Sequence, residues 1–456
     1  MATPQQVSFA LYKFFGREVE QIARTTRWIC RQPLRLGALA WLQMWVLGFL
    51  EKPDAGYGFL VHVARDLGVR ISRQGIENRL TPAVVPFMQA LFERAREGLS
   101  NQVALPLALL QRFTVIHVLD STTEALPDTL QEVYPAAGGD GPQAGLKLQV
   151  LWDFLRGNLD GLWLTPARRA DQGFQAHRAH VVAGGLFLAD LGYFVLDTFK
   201  VLVAAGAYFI SRHDVKTVLS GGEEGQTRWD LLAELQHTAA AQMERVAWLG
   251  QQARIACRVL AVRVPEAVRA ERLRRARATA RRKGRAFSER QAAWLAWDVY
   301  VTNVPDTWLT AAQVRQLYRL RWQIELLFRL WKSEGQLDRI ASQHEPRVLC
   351  EVYAKLIGML IFHYLTAPLR WGERELSLPK ALHTFRHKLA TFREALLHPL
   401  TPERLEQVLA ALRDEWLTID VKDTRRMRRS TLQRIDDAAR QAVSEQEAYA
   451  AVLVNA

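Results

Sequence analysis

Four short runs of nearly unbroken apolar character constrain this chain most: "TVIHVLD" (114–120), "LKLQVLWDFL" (146–155), "LFLADLGYFVL" (186–196) and "GAYFISR" (206–212). A strand with one wet face alternates apolar and polar residues, so a run with little alternation needs cover on both faces. The four runs predict strands of a buried sheet, and "VLDTFKVLVAA" (195–205), lying between two of them, predicts a helix. Strands mixed with helices give an α/β or α+β core.

Around that core the pattern is helical. Residues 1–105 carry apolar helical spacing, as in "FMQALFERAREGL", with a charged outer face. Within them, "VARDLGVRISRQGIENRL" (63–80) resembles a helix-turn-helix. Gly68 offers the positive φ of a tight turn and Ser72 a cap, and the second helix would present Arg73, Gln74, Asn78 and Arg79 to DNA; a plain helix junction is the alternative. Residues 106–213 hold the first part of the core, and 214–304 interrupt it. That interruption predicts a helix over "WDLLAELQHTAAAQMERVAWL" (229–249) and strands over "ARIACRVLAVRV" (253–264) and "LAWDVYVTNV" (295–304). Between those strands runs "RAERLRRARATARRKGR" (269–285), either a solvated helical face or a surface lying along phosphates. Residues 305–370 return to the core, and 371–456 form a helical C-terminal region whose "DDAARQAVSEQEAYAAVL" packs on its own domain or on a second subunit.

The charge balance indicates the kind of partner. Sixty Lys and Arg against 47 Asp and Glu leave a net +13, mostly from arginine. A polyanion is the natural partner, nucleic acid ahead of a membrane, because the planar guanidinium makes paired hydrogen bonds to phosphate. Cys30, Cys257 and Cys350 lie far apart, which suggests neither a disulfide framework nor a zinc site and fits a reducing cytoplasm. The N-terminus lacks the basic and apolar blocks of a secretory signal. The apolar stretches 36–50 and 356–365 fall short of about 18 residues and read as buried helices, so no membrane partner is expected.

Chemistry points to "YRLRWQIELLFRLWK" (318–332). Taken as one helix at about 100° per residue, it puts Tyr318, Arg321, Glu325 and Lys332 on a stripe about 60° wide, with Leu320, Ile324, Leu327 and Trp331 opposite. Alone, that stripe is equally an Arg321–Glu325 surface pair worth about 0.3–0.5 kcal/mol. Asp120 and Asp190, however, each end an apolar run. Either could be a turn residue or helix cap. Three carboxylates brought together would repel unless a cation neutralised them, and hard oxygen donors favour Mg²⁺ first and Mn²⁺ second.

"LYRLRWQIELLFRLWKSEG" (317–335) closely resembles the signature of the bacterial insertion-sequence transposases of family four, in which Tyr, Arg, Glu and Lys recur at these intervals. "VLDSTT" (118–123) and "ADLGYF" (189–194) resemble the family's first and second aspartate blocks, "GAYFISR" the strand before its insertion, and "VTNVP" (301–305) the lead into its glutamate helix. The likeness covers about 60–420. It implies an α/β, ribonuclease H-like catalytic core with an inserted mainly β domain, flanked by helical N- and C-terminal regions. Asp120, Asp190 and Glu325 would be the catalytic carboxylates holding two metal ions, with Tyr318, Arg321 and Lys332 gripping DNA backbone near the cut, and Arg212 a further DNA contact.

By that resemblance the expected activity is cut-and-paste transposition: binding terminal inverted repeats, cleaving the ends and joining 3′ ends to target DNA. The partners would be double-stranded DNA and, in the complex, a second copy of the chain as a homodimer, in the bacterial cytoplasm and on the nucleoid when bound. Trp248, Trp294 and Trp297 are candidates to stack a displaced base, though core roles suit them as well. Asp171 and Asp197 compete with Asp190, and the role of Asp153 stays open. A ribonuclease H-like nuclease without strand transfer, and a catalytically silent transposase-derived DNA-binding protein, are the rival readings.

Overall fold

The computed structural model describes residues 3–30, 36–138, 141–340, 342–369, 375–397, 401–422 and 433–437; nearly all of "DDAARQAVSEQEAYAAVL" lies outside them. The chain forms two compact units. One comprises the described residues within Met1–Leu105, Ser121–Arg169 and Ile324–Arg428, the other those within Pro106–Asp120, Ala170–Gln323 and Arg429–Ala456.

The first unit is built around the helices Ala38–Glu51, Val84–Gly98 and Glu345–Thr366, the last packing against the other two. Glu345–Thr366 is apolar around its circumference and buried from Pro346 onward. Its charges survive burial by pairing along one face: Glu351 forms ion pairs with Lys355 at 2.9 Å and with Arg347 at 3.5 Å, in keeping with the rule that buried charges need partners. Among the described residues this helix, continued to Leu369, is long and apolar enough to cross a membrane, but that stretch is wholly buried inside the protein. Both apolar stretches are thus buried helices, as expected, the second longer than its apolar run.

Strand β1 (Ile116–Leu126) runs from the second unit into the first. Its part from Ser121 lies in the first unit beside β2 (Ala144–Asp153), which pairs antiparallel with β3 (Asn158–Pro166). Every position of β2 is buried, which accounts for its unalternating sequence.

The second unit continues the order from β1 through β4 (Leu186–Ala189), parallel to β1, and β5 (Tyr208–Arg212), parallel to β4, with the helix Leu196–Ala204 as the crossover between β4 and β5. The later strands are β6 (Leu219–Gly221), β7 (Thr227–Trp229), β8 (Gln242–Leu249), β9 (Ile255–Arg263) and β10 (Trp297–Thr302). They extend the same sheet antiparallel, in the order β5-β10-β9-β8-β6-β7.

Three sequence expectations are corrected. The run 186–196 is not one strand: β4 stops at Ala189, and Asp190 opens a 3-10 turn over Leu191–Tyr193. The segment 229–249 is helical only over Leu231–His237 and then becomes β8, whose pairing with β9 overrides the helix-favouring Ala, Gln, Met and Glu. The stretch 318–332 is not one helix, because a 3-10 turn, Arg319–Arg321, separates Ala311–Tyr318 from Trp322–Ser333.

The arginine run is a helix, Glu266–Arg282, with no buried residue along its length. It ends where Gly284 turns to φ +59° and the Arg285 amide closes on Ala280 O at 2.9 Å, the hydrogen bond of a glycine-stopped helix terminus.

Candidate active site

In the second unit, β1 and β4 pair in parallel with Leu119 opposite Ala189. Asp120, within β1, and Asp190, just past the end of β4, are the next residues after that last pair, so two acids 70 positions apart in sequence lie side by side where the β1–β4 pairing ends; β1 itself runs on to Leu126, so Asp120 does not end its strand. The carboxyl end of a parallel strand, here that of β4, is where open α/β sheets bind ligands. Asp190 is exposed, and its backbone carbonyl accepts the Tyr193 amide that closes the following turn.

Two side chains from the 311–321 segment dock here. The Arg321 guanidinium donates to Asp120 Oδ2 at 3.0 Å. Tyr318, expected on a polar front, is buried instead: its hydroxyl reaches Ala189 O at 3.4 Å and its ring packs on Tyr300. Burial pushes the phenol up to about 12, with Arg321 opposing and Asp190 adding to the shift. Tyr318 therefore stays protonated and serves as a hydrogen-bond donor.

Arg212, which ends β5, is held by Asp298 at 3.0 Å, and Arg272 of the arginine helix donates to the same oxygen at 2.9 Å. Asp197 belongs to the first turn of its helix and lies 3.8 Å from Lys200, while Asp171 opens a 3-10 turn. Of the tryptophans, Trp297 is buried under the Arg263 guanidinium, whereas Trp248 and Trp294 are half-buried.

In the first unit, Glu325 lies in the first turn of Trp322–Ser333 and Lys332 in the last. The back of that segment is buried as expected, through Ile324, Leu327 and Trp331, and Leu320 of the preceding turn is buried too. Lys332 reaches Glu124 at 3.1 Å and Thr123 O at 3.1 Å. Glu124 is almost completely buried; desolvation raises its pKa against the lowering effect of Lys332, and the Thr122 hydroxyl donates to it at 3.3 Å. Sequence reasoning missed Glu124, although Asp120, Thr122 and Glu124 share one face of β1 by their spacing of two. Asp153, whose role the sequence left open, is a buried loop cap: it accepts the Leu155 amide at 2.9 Å and the Arg156 guanidinium at 3.0 Å.

The helix-turn-helix candidate comprises helices Tyr57–Asp66 and Arg73–Glu77, with Gly68 at φ +76° and Ser72 accepting the Gly75 amide at 3.1 Å. Arg73, Gln74 and Asn78 are exposed and Arg79 is half-buried. The second helix has only five residues, a rise of about 8 Å.

Asp120 and Asp190 fit a hard divalent cation by donor type. Among the described residues no group of three or more His, Cys, Asp or Glu side chains is gathered closely enough to hold a metal ion. At Asp120 a positive charge is supplied by Arg321.

Comparison with known proteins adds relatives over most of the chain. The family model described as a transposase DDE domain matches residues 111–361, more than half of the sequence. The transposase for insertion sequence element IS231F of Bacillus thuringiensis subsp. israelensis is 27% identical over 393 residues, covering 80% of this chain and 81% of that protein. The transposase for IS231B of Bacillus thuringiensis subsp. berliner is 28% identical over 72% of this chain and 74% of its own length; the transposase for IS1151 of Clostridium perfringens is 24% identical over 68% and 71%.

Proposed function

The chain belongs to the DDE-domain transposase family, and from that premise we propose that it is a cut-and-paste enzyme: it binds the inverted repeats of a mobile element, cleaves its ends and joins the 3′ ends to target DNA. The observation that most supports this reading is the parallel register that puts Asp120 of β1 beside Asp190 at the end of β4, with Arg321 and Tyr318 docked there.

Asp120, Asp190 and Glu325 are the proposed metal-holding carboxylates on a ribonuclease H-like core, with Mg²⁺ as the ion, two per site, and Mn²⁺ as a substitute. Divalent cations, when bound, supply Lewis acidity that activates the attacking oxygen and stabilises the leaving oxygen in an in-line displacement at phosphorus. Around them the protein's task is positioning and charge. Arg321 offers a forked contact to a phosphate and Lys332 a point charge. Tyr318, protonated across the physiological range, donates without carrying charge. Arg212, together with Arg73, Gln74, Asn78 and Arg79 of the helical pair, holds DNA away from the cut. A homodimer on two element ends completes the proposal.

Incubating the protein with end-containing DNA and a target plasmid in Mg²⁺ tests it. Joined products support strand transfer; cleavage without joining leaves a nuclease, and binding without cleavage a silent DNA-binding descendant.

A further inference from the structure

Among the described elements the helix Glu266–Arg282 concentrates charge as no other does: residues 266–285 hold nine cations and two carboxylates. Apart from Glu271, which lies among arginine side chains, its partial burial follows one stripe. Arg269, Arg272, Leu273, Ala276 and Ala280 are half-buried, at helical spacing, and Arg272 anchors the stripe to Asp298 at 2.9 Å. Near the middle, Glu271 takes up Arg274 and Arg275 at 2.8 and 2.5 Å. Beyond them, Arg277, Arg281, Arg282, Lys283 and Arg285 are exposed and, among the described residues, make no ion pair.

Cations in a last helical turn do favour the helix dipole, but that effect fades within a turn. Arg277 and Arg281 are a like-charge pair at i, i+4, which is destabilising. Five cations packed so closely oppose one another unless a polyanion lies against them. The exposed residues between them, Ala278 and Thr279, are small enough to let that polyanion approach. From Arg274 to Arg282 the helix rises about 12 Å, a length over which a duplex carries about seven phosphate charges. Residues 266–285 include no aromatic side chain to stack a base and no Asn or Gln to read an adenine.

We propose that the exposed face of Glu266–Arg282, with Lys283 and Arg285, binds the phosphate backbone of duplex DNA without reading its sequence, as a surface separate from Asp120 and Asp190. This rests on the reading that the protein acts on DNA. Its affinity comes from counterion release, so it is defined by salt dependence.

The test compares full-length wild type with a fourfold variant, Arg277→Gln, Arg281→Gln, Arg282→Gln and Arg285→Gln, on a labelled random-sequence duplex over about 50–200 mM salt. Four lost phosphate contacts make the slope of log affinity against log salt shallower by about 3 to 4. The matching fourfold Arg→Lys variant keeps most of the slope, because a point charge suffices. Gln retains helix propensity, and the single variants Arg277→Gln and Arg282→Gln, each expected to lose about one unit of slope, carry the same test if the fourfold variant unfolds. An unchanged slope in the Gln variants overturns the proposal, as does a wild type that binds no duplex, which overturns the DNA reading with it. Loss of slope in a protein that neither cuts nor joins element ends leaves this surface standing and removes the proposed function alone.

Discussion

Arg321 lies 3.0 Å from Asp120, and each side chain keeps only 17% of its surface. A guanidinium there and a divalent cation on the same carboxylate are competitors. Removing the arginine should therefore favour the metal while weakening the grip on DNA.

The expected outcome for Arg321→Ala is Mn²⁺ binding, followed by electron paramagnetic resonance titration, tightened about two- to fivefold, the worth of a partly exposed ion pair of up to about 1 kcal/mol. End-DNA affinity should fall in the same protein. Weaker Mn²⁺ binding would mean that Arg321 supports the metal site instead of competing with it.

Asp120→Ala, Asp190→Ala and Glu325→Ala are each expected to reduce end cleavage by more than about 100-fold, the upper range for disturbing a metal ligand only indirectly. DNA binding should persist. If Asp190→Ala still cuts and Asp197→Ala does not, the second ligand is misassigned.

Lys332 and Glu124 make a stability prediction. Lys332→Met strands a buried carboxylate, so the protein should lose about 1–3 kcal/mol at neutral pH, less than a fully buried pair would because Lys332 is one-third exposed. A carboxyl raised above its unfolded value costs nothing below that value and costs more as pH rises. Urea unfolding should accordingly show a smaller deficit near pH 4.5 than near pH 7.5. An equal deficit at both would assign the loss to packing.

His177 and His213 predict acid sensitivity. Both are buried and pushed down to about 4 from 6.5 by desolvation, His177 with Phe174 and Phe187 about its ring. Between those values the unfolded chain holds more protons, so stability falls with pH, by up to about 1.4 kcal/mol per unit for each. His177→Phe should flatten the stability profile between pH 6.5 and 4. A profile as steep as wild type would exclude this histidine as a source.

What the sequence disclosed depended on whether a signal was local. The buried strands were legible because cover on both faces forces unbroken apolar runs, and the back of 318–332 because burial forces helical spacing. The break at Arg319–Arg321 was not, since no Gly or Pro announces it. Nor was β8: Gln242–Leu249 becomes a strand through its register with β9, while Val246 stands 76% exposed and blurs the alternation. The adjacency of Asp120 and Asp190 depends on pairing 70 residues apart, which the residue motifs suggested and no local pattern could fix. Glu124, by contrast, could have been found by following β1 two residues at a time.

β9 and β10 pair directly, with Arg263 opposite Trp297, so everything from 264 to 296 leaves and returns between neighbouring strands about 5 Å apart. In topological terms the arginine helix is cargo on a hairpin. A short turn could replace the whole excursion without altering any strand's neighbours, and a lineage could gain, lengthen or shed this cationic arm while its sheet stayed the same.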